Sequence, residues 1–208
     1  MNFIIFMHKI AAFIKFNKKI ENKVLFYKNK VRQRFGKQIY LNHPVHLTLF
    51  TLEIKKIEDL KNTYLNLKIK KKTNIKNISI TSPGVFYNDP LTNGHTLYFN
   101  LKKNNFLKNL QLKHLKIINN NLKVSKKNLK ILKNKKLKKN YLKYGFPFAG
   151  KIWIPHITVA SISGIGNTDK FIINFLNKKF KFKDKVNKIE FYRIKNNRHY
   201  FLFKTDYI

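Results

Sequence analysis

The sequence predicts an α+β protein whose two halves resemble each other. Apolar runs with the period-two alternation of strands interleave with stretches of helical spacing, and two pairs of strands are joined by turn residues as hairpins. A third observation ties the halves together. One short pattern, His-x-Thr in an apolar run, occurs once in each half, as Val45-His46-Leu47-Thr48-Leu49 and as Pro155-His156-Ile157-Thr158-Val159.

In chain order, Phe3 to Met7 reads as the first strand, and the run from there to Phe16 is ambiguous between strand and helix. Ile20, Val24, Tyr27 and Val31 then recur at helical spacing, with Asn17 placed to cap a helix over Lys18 to Phe35 and Gly36 to stop it. Gln38 to Leu41 is a short strand and Asn42-His43-Pro44 a bend. The first His-x-Thr strand follows to Ile54, and Leu60, Tyr64 and Leu67 mark a helix over Glu58 to Leu67. Ile75 to Phe86 and His95 to Leu101, separated by Asn88-Asp89-Pro90 and Thr92-Asn93-Gly94, form a hairpin with a long loop. Phe106, Leu107, Leu110 and Leu115 mark the next helix.

The segment from Asn119 to Tyr144 is dense in Lys and Asn and contains no acid, so it reads as a solvated basic insertion between lobes, with a dedicated RNA-binding element as the alternative. Ser125 is placed to cap a helix there with the stripe Leu129, Leu132, Leu137 and Tyr141. Lys151 to Ser161 is the second His-x-Thr strand, on which Trp153 faces away from His156, into the core. Thr168 caps a helix carrying Phe171, Ile172, Phe175 and Leu176, and Lys188 to Ile194 with Arg198 to Lys204 form a last hairpin turned at Asn196-Asn197. The second half thus repeats the strand, helix, hairpin order of the first.

With 208 residues, 43% of them hydrophobic and 14% aromatic, the chain buries a substantial core and is not of the disordered class. The net charge of +36 suits a polyanionic partner. It comes almost entirely from Lys, however. Arg, the residue suited to bidentate phosphate binding, occurs only at Arg32, Arg34, Arg193 and Arg198, and the excess of Lys, Asn, Ile and Phe is what A/T-rich codons produce. No Cys is present, which removes disulfides, zinc thiolates and thiol catalysis. The longest apolar runs fall far short of the roughly 18 residues of a membrane span. The basic, acid-free first 20 residues have the composition of a transit peptide, against the strand reading of Phe3 to Met7. A cytoplasmic monomer is expected, with organellar targeting left open.

Several chemistries lack their residues. There is no Gly-x-x-x-x-Gly-Lys-Ser/Thr loop, no Gly-x-Gly-x-x-Gly and no Gly-x-Ser-x-Gly, and the nine acids are scattered rather than clustered as a two-metal site requires. His43 with His46 lacks a third metal ligand nearby, so His43 is read as a bend residue, and no metal or cofactor is expected. His95 is read as structural, with a place at the edge of the cleft as the alternative, and Tyr192, Arg193 and Arg198 as a solvated hairpin, with contact to a base or phosphate as the alternative.

Histidine remains. Two imidazoles of ordinary pKa near 6.5 perform phosphoester cleavage without cofactor when one is neutral and the other protonated. One takes a proton from the nucleophile while the other gives one to the leaving oxygen. In a strand a Thr two residues on faces the same way as the His, where its hydroxyl donates to a phosphoryl oxygen. Neither motif means much alone.

The pair resembles the 2H phosphoesterase superfamily, in particular its 2′-5′ RNA ligase-like and cyclic phosphodiesterase branches. The resemblance runs from about Phe3 to Lys204 and rests on His46-Leu47-Thr48-Leu49, His156-Ile157-Thr158-Val159 and their Pro44 and Pro155 contexts. It implies a single bilobal domain over 1–208, with two pseudo-symmetric lobes, each an antiparallel sheet with helices, around a central cleft. It implies His46 and His156 as the acid/base pair, Thr48 and Thr158 as phosphate ligands, and an RNA or nucleotide substrate. Which His is acid and which is base stays open. The insertion at about 119–144 departs from the family pattern. The competing reading is a basic RNA-binding or ribosome-associated protein without chemistry, which would be indifferent to both histidines.

Overall fold

In a computed structural model, residues 7–68, 76–122, 134–164 and 169–206 are described. The chain order is β1 (His8–Ile14), α1 (Lys18–Phe35), β2 (Leu47–Ile54), α2 (Ile57–Lys68), β3 (Lys76–Asp89), β4 (Gly94–Leu101), α3 (Asn105–Asn121), α4 (Lys135–Tyr144), β5 (His156–Ile162), α5 (Lys170–Leu176), β6 (Phe182–Val186), β7 (Ile189–Lys195) and β8 (Arg198–Thr205). The α+β expectation holds.

Local signals account for most of these boundaries. Asn17 Oδ1 accepts the Ile20 N–H at 3.1 Å, a cap that stabilises α1 by about 1 kcal/mol, and Gly36, at φ +68°, closes the helix with its N–H on the Arg32 carbonyl. The stripe Ile20, Val24, Tyr27 and Val31 is buried, as its spacing requires.

The strands form one continuous sheet in the order β6-β3-β4-β5-β2-β1-β7-β8, every pair antiparallel. Two four-stranded antiparallel halves, β6-β3-β4-β5 and β2-β1-β7-β8, are thus joined in a single sheet, in which two separate lobes are not seen. The halves of the sequence are also not the halves of the sheet: β1 and β2 lie beside β7 and β8 from the far end of the chain, while β3 and β4 lie beside β5 and β6. The His-x-Thr strands β2 and β5 meet at the centre, joined by one registered pair, Leu47 opposite Ile157.

On the side of β2 and β5 away from the histidines, Leu47, Leu49, Ile157 and Val159 enter a core shared with Tyr27 and Val31 of α1, Leu107 and Leu110 of α3 and Phe175 of α5. Leu47, Leu49, Ile157 and Val159 are each at most 1% exposed, so removing any one leaves a cavity; a Leu or Ile to Ala change there costs about 2–5 kcal/mol.

Two local expectations change, one lies almost wholly outside the described residues, and one strand was not expected. The strand expected over Phe3 to Met7 lies outside the described residues but for Met7, which is not in a strand; the first strand is His8–Ile14, part of the run that was ambiguous. Five successive residues of β1 are buried, because it is paired on both sides, and that continuous burial hides the alternation by which a strand is recognised. Gln38 to Leu41 is no strand: Ile39 makes a single bridge to Ser161, and Tyr40 turns the chain at φ +70°. The second motif strand begins only at His156, after a 3₁₀ turn at Gly150–Ile152, although Trp153 is buried as expected. Strand β6, which completes one edge of the sheet against β3, went unread in a stretch dominated by Lys.

Two expected helix caps lie outside the described residues: Ser125, with Leu129 and Leu132, and Thr168. Asn134 caps α4 and Asp169 caps α5, each accepting backbone N–H groups of the first turn. Within the basic segment α3 continues to Asn121, and α4 buries none of its residues. Among the described residues no helix is long and apolar enough to cross a membrane.

Candidate active site

Continuing the Leu47/Ile157 register one residue to either side sets His46 opposite Thr158 and Thr48 opposite His156. The four polar residues share one face because Leu47 and Ile157 are buried on the other. His46 and His156 thus lie on neighbouring strands as diagonal neighbours, whose Cα atoms are about 7–8 Å apart in an antiparallel pair.

The two motifs are anchored alike. His46 Nδ1 lies 2.6 Å from the Pro44 carbonyl, and His156 Nδ1 lies 2.7 Å from the Ile154 carbonyl. A carbonyl only accepts, so Nδ1 carries the hydrogen in both rings and Nε2 is left to exchange protons with a ligand. The carbonyl belongs in each case to the residue two before the His, just ahead of where the strand pairing starts. This gives the prolines a role in placing the rings: Pro44 supplies the acceptor itself, and Pro155 follows the residue that does.

A second correspondence lies in the strand pairing. β1 pairs with β2 through Ala12 opposite Phe50 and then Phe13 opposite Thr48, skipping Leu49; β4 pairs with β5 through Leu97 opposite Ala160 and then Tyr98 opposite Thr158, skipping Val159. The last residue of each His-x-Thr-x motif is therefore a β-bulge, and an aromatic ring faces each Thr. One strand further out, Tyr192 and Phe86 hold corresponding positions, Tyr192 opposite Ala11 and Phe86 opposite Thr96. Phe86 stacks on Tyr98 at 4.1 Å and 24°, while Tyr192 lies 5.1 Å from Phe13 at 35°. Gly84, opposite Tyr98, makes that stack possible, since a Cβ there would fall 2.6 Å from the Tyr98 ring.

The environments of the histidines differ. His46 is held well below the ordinary His pKa, first by burial and further by His199, Lys15 and Lys28, against the opposing bond to Pro44. His156 is lowered by burial, but its bond to Ile154 and the carboxylate of Asp89 oppose the shift. The His46 side thus carries cations that favour a bound anion, and the His156 side carries the acid that favours an imidazolium.

Sequence reasoning missed His199, whose ring lies 5.9 Å from His46 and 4.6 Å from His43. It sits on the last strand without a hydroxyl partner, and only the sheet order reveals its closeness. His43 is pushed down to about 4 by burial, His199 and Lys28. Lys28, 2% exposed and pushed down to about 8, donates to the carbonyls of Tyr40 and His43 at 2.7 and 2.8 Å and so pins the loop that leads into His46. Despite three rings together, no group of His, Asp and Glu among the described residues is arranged to hold a metal. His95 is buried away from the motifs and accepts the Asn88 N–H.

The same sheet occurs in solved structures. A protein of Thermus thermophilus designated TT0787 superposes with a TM-score of 0.62 at 16% identity, over 94% of this chain and 96% of that one. A crystal structure described as a phosphoesterase gives 0.60 at 13% identity over 95% and 97%. Escherichia coli LigT in complex with NADP+ gives 0.57 at 13% over 95% of both chains. The chain has the fold of the 2H phosphoesterase superfamily. LigT has also been crystallised with ATP, 3′-AMP and phosphate. No protein-family model matches the sequence, nor does any curated protein, so the likeness to 2H proteins lies in the fold.

Proposed function

We propose that this chain is a metal-independent phosphoesterase that opens a 2′,3′-cyclic phosphate or a 2′-5′ phosphodiester in RNA ends or nucleotides. His46 and His156 are its acid/base pair, and Thr48 and Thr158 donate to the phosphoryl oxygens. The observation that carries the reading is the matched setting of the two motifs about the Leu47/Ile157 pair, each with its Nδ1 on a main-chain carbonyl. A phosphate between the strands would meet one imidazole and one hydroxyl from each side. The neutral His takes a proton from the attacking water, the phosphorus gains that oxygen, and the bond to the ribose oxygen breaks as the protonated His delivers its proton there. Protonated and neutral histidines have then exchanged places, and solvent resets them. The nucleotides with which LigT was crystallised suit this reading of the site.

A panel of 2′,3′-cyclic nucleotides and 2′-5′-linked dinucleotides, assayed in EDTA, is the test. Replacing either His by Ala should raise the barrier by about 3–5 kcal/mol, a loss of 10² to 10⁴ in rate. A doubly substituted protein, His46→Ala with His156→Ala, that turns over the panel at the wild-type rate would sink the proposal. RNA binding that weakens with salt and ignores both histidines, without turnover by the wild type, would favour a binding protein instead.

A further inference from the structure

The acid/base reading leaves a run of aromatic rings unused on one side of the site. Phe13 stacks on His46 at 3.7 Å, Tyr192 lies 5.1 Å from Phe13, and Phe201 lies 5.7 Å from Tyr192. Tyr192 pairs with Ala11 on one side and with Phe201 on the other, so the rings step outward across β1, β7 and β8 on the face that bears the histidines. Phe13 is buried, Tyr192 half-buried, and Phe201 is 56% exposed. The Tyr192 hydroxyl donates to Glu190 Oε2 at 2.6 Å, which fixes its ring.

Cations border the run. Lys9 pairs with Ile194 and Lys204 with Glu190, so both lie on this face, and Lys9, Lys15 and Lys28 are all close enough to His199 to lower its pKa. The other side of the site has no such extension. Strand β6 pairs only with Lys76 to Ile80 of β3 and does not reach Phe86, and its one aromatic, Phe182, packs against the core. Rings in single file that open from the buried Phe13 through the half-buried Tyr192 to the exposed Phe201, beside lysines, suit a single-stranded nucleic acid, because every base has a face to stack and every linkage a charge to neutralise. A second copy of this chain is a poor occupant, since it would bring another net charge of +36 against the same edge.

We infer that β1, β7 and β8 carry a stacking track for single-stranded RNA leading to the phosphate at the two motifs. One base lies on Tyr192, the next on Phe201, and their phosphates lie against Lys9 and Lys204. The inference rests on the phosphoesterase reading and deepens it: the preferred substrate is an RNA terminus with unpaired nucleotides, not a mononucleotide.

The test is fluorescence anisotropy with 3′-phosphorylated single-stranded RNAs of one to six nucleotides, on the wild type and on the His46→Ala, His156→Ala protein. Affinity should rise with length by on the order of tenfold for each stacked base, and Phe201→Ala should remove one such step while Phe201→Trp keeps it. Affinity that is flat with length, or a rise that survives Phe201→Ala, overturns the track. So does a wild-type dimer that Phe201→Ala dissolves in sedimentation with the length dependence intact, which would make β8 a pairing edge. Turnover of cyclic mononucleotides without length dependence overturns the track alone. Length-dependent binding by a wild type that turns over nothing leaves the track standing and overturns the phosphoesterase reading.

Discussion

The ring of Phe13 lies over that of His46, 3.7 Å away and 26° from parallel, while Tyr98, at the corresponding register of the other motif, meets His156 at 5.2 Å and 61°. A stacked ring covers the imidazole face and keeps water from it; an edge contact leaves more of the face open. Near-identical backbones thus hold the two histidines in unequal surroundings, and the first prediction tests that inequality.

Phe13→Leu keeps an apolar side chain in β1 but uncovers part of the His46 face. Burial is the largest cause of the lowered pKa of His46, so that pKa should rise toward the ordinary value near 6.5. Titration of the His46 ring by NMR reads the shift directly. His156, with no contact to Phe13, should titrate as before. The accompanying loss of stability should be about 1 kcal/mol, from an imperfect refill of the core.

Asp89 opposes the lowering of His156, and nothing similar acts on His46. The proton that the reaction needs on one imidazole is therefore expected on His156, which makes it the acid for ring opening and His46 the base. Asp89→Asn removes the negative charge while its amide oxygen still accepts the Leu91 N–H and its NH2, in place of Oδ2, donates to the Thr96 hydroxyl oxygen. His156 should then titrate lower, its protonated fraction at pH 7 should fall, and kcat/KM at pH 7 should fall with it. Activity should recover in part as the pH is lowered. A uniform loss at every pH would mean structural damage instead.

Stability should follow the same histidines. His43, His46, His156 and His199 all have lowered pKa values in the folded chain, His43 down to about 4. The unfolded chain, with ordinary values near 6.5, then binds more protons over the window below that pH. Their contribution is present above about 6.5 and is lost as the pH falls toward 4. Denaturant midpoints measured between pH 7 and 4.5 should decline, and His43→Gln should flatten the decline.

Much of this was legible in the residues, for physical reasons that can be named. Helix α1 announces itself through Asn17, Gly36 and a four-residue stripe, because its information is local. The motif strands are legible because their central residues alternate. β1 is paired on both sides and so carries no alternation, and its ring Phe13 looks like any other core residue. His199 and Tyr192 belong to the site only because β7 and β8 come back to pair with β1, a contact spanning most of the chain. The symmetric bulges at Leu49 and Val159 left no trace of their own: both are apolar residues in apolar runs, and only the pairing shows that the ladder skips them.

The hydroxyls of Thr48 and Thr158 should matter equally, since each lies beside the histidine of the other motif. Thr48→Val and Thr158→Val preserve shape and remove one donor to a charged oxygen, so each should cost about 1.5–3 kcal/mol in kcat/KM. Unfolding should change little, because neither hydroxyl holds a hydrogen bond to another of the described residues. Unequal losses of more than tenfold would mean that the phosphate is not centred between the strands.

Gln111 links the two motifs from beneath. It is fully buried on α3; its Nε2 donates to the carbonyls of Leu49, at the bulge of the first motif, and Phe148, at 2.8 and 3.1 Å. Its Oε1 accepts the N–H of Gly150, at the start of the turn that leads into the second motif. Gln111→Leu would orphan three backbone groups, the buried Leu49 carbonyl and the part-buried Phe148 carbonyl and Gly150 N–H, and should lower stability by about 2–4 kcal/mol, read from the denaturant midpoint. Gln111→Glu separates the two ends, since a carboxylate still accepts from Gly150 but has nothing to give Leu49 or Phe148. At a temperature where that variant remains folded, kcat/KM should still fall, because the Leu49 bulge sets the direction of Thr48 and loses the bond that holds its carbonyl. Wild-type kcat/KM in folded Gln111→Glu would show that the strand pairing alone fixes the bulge.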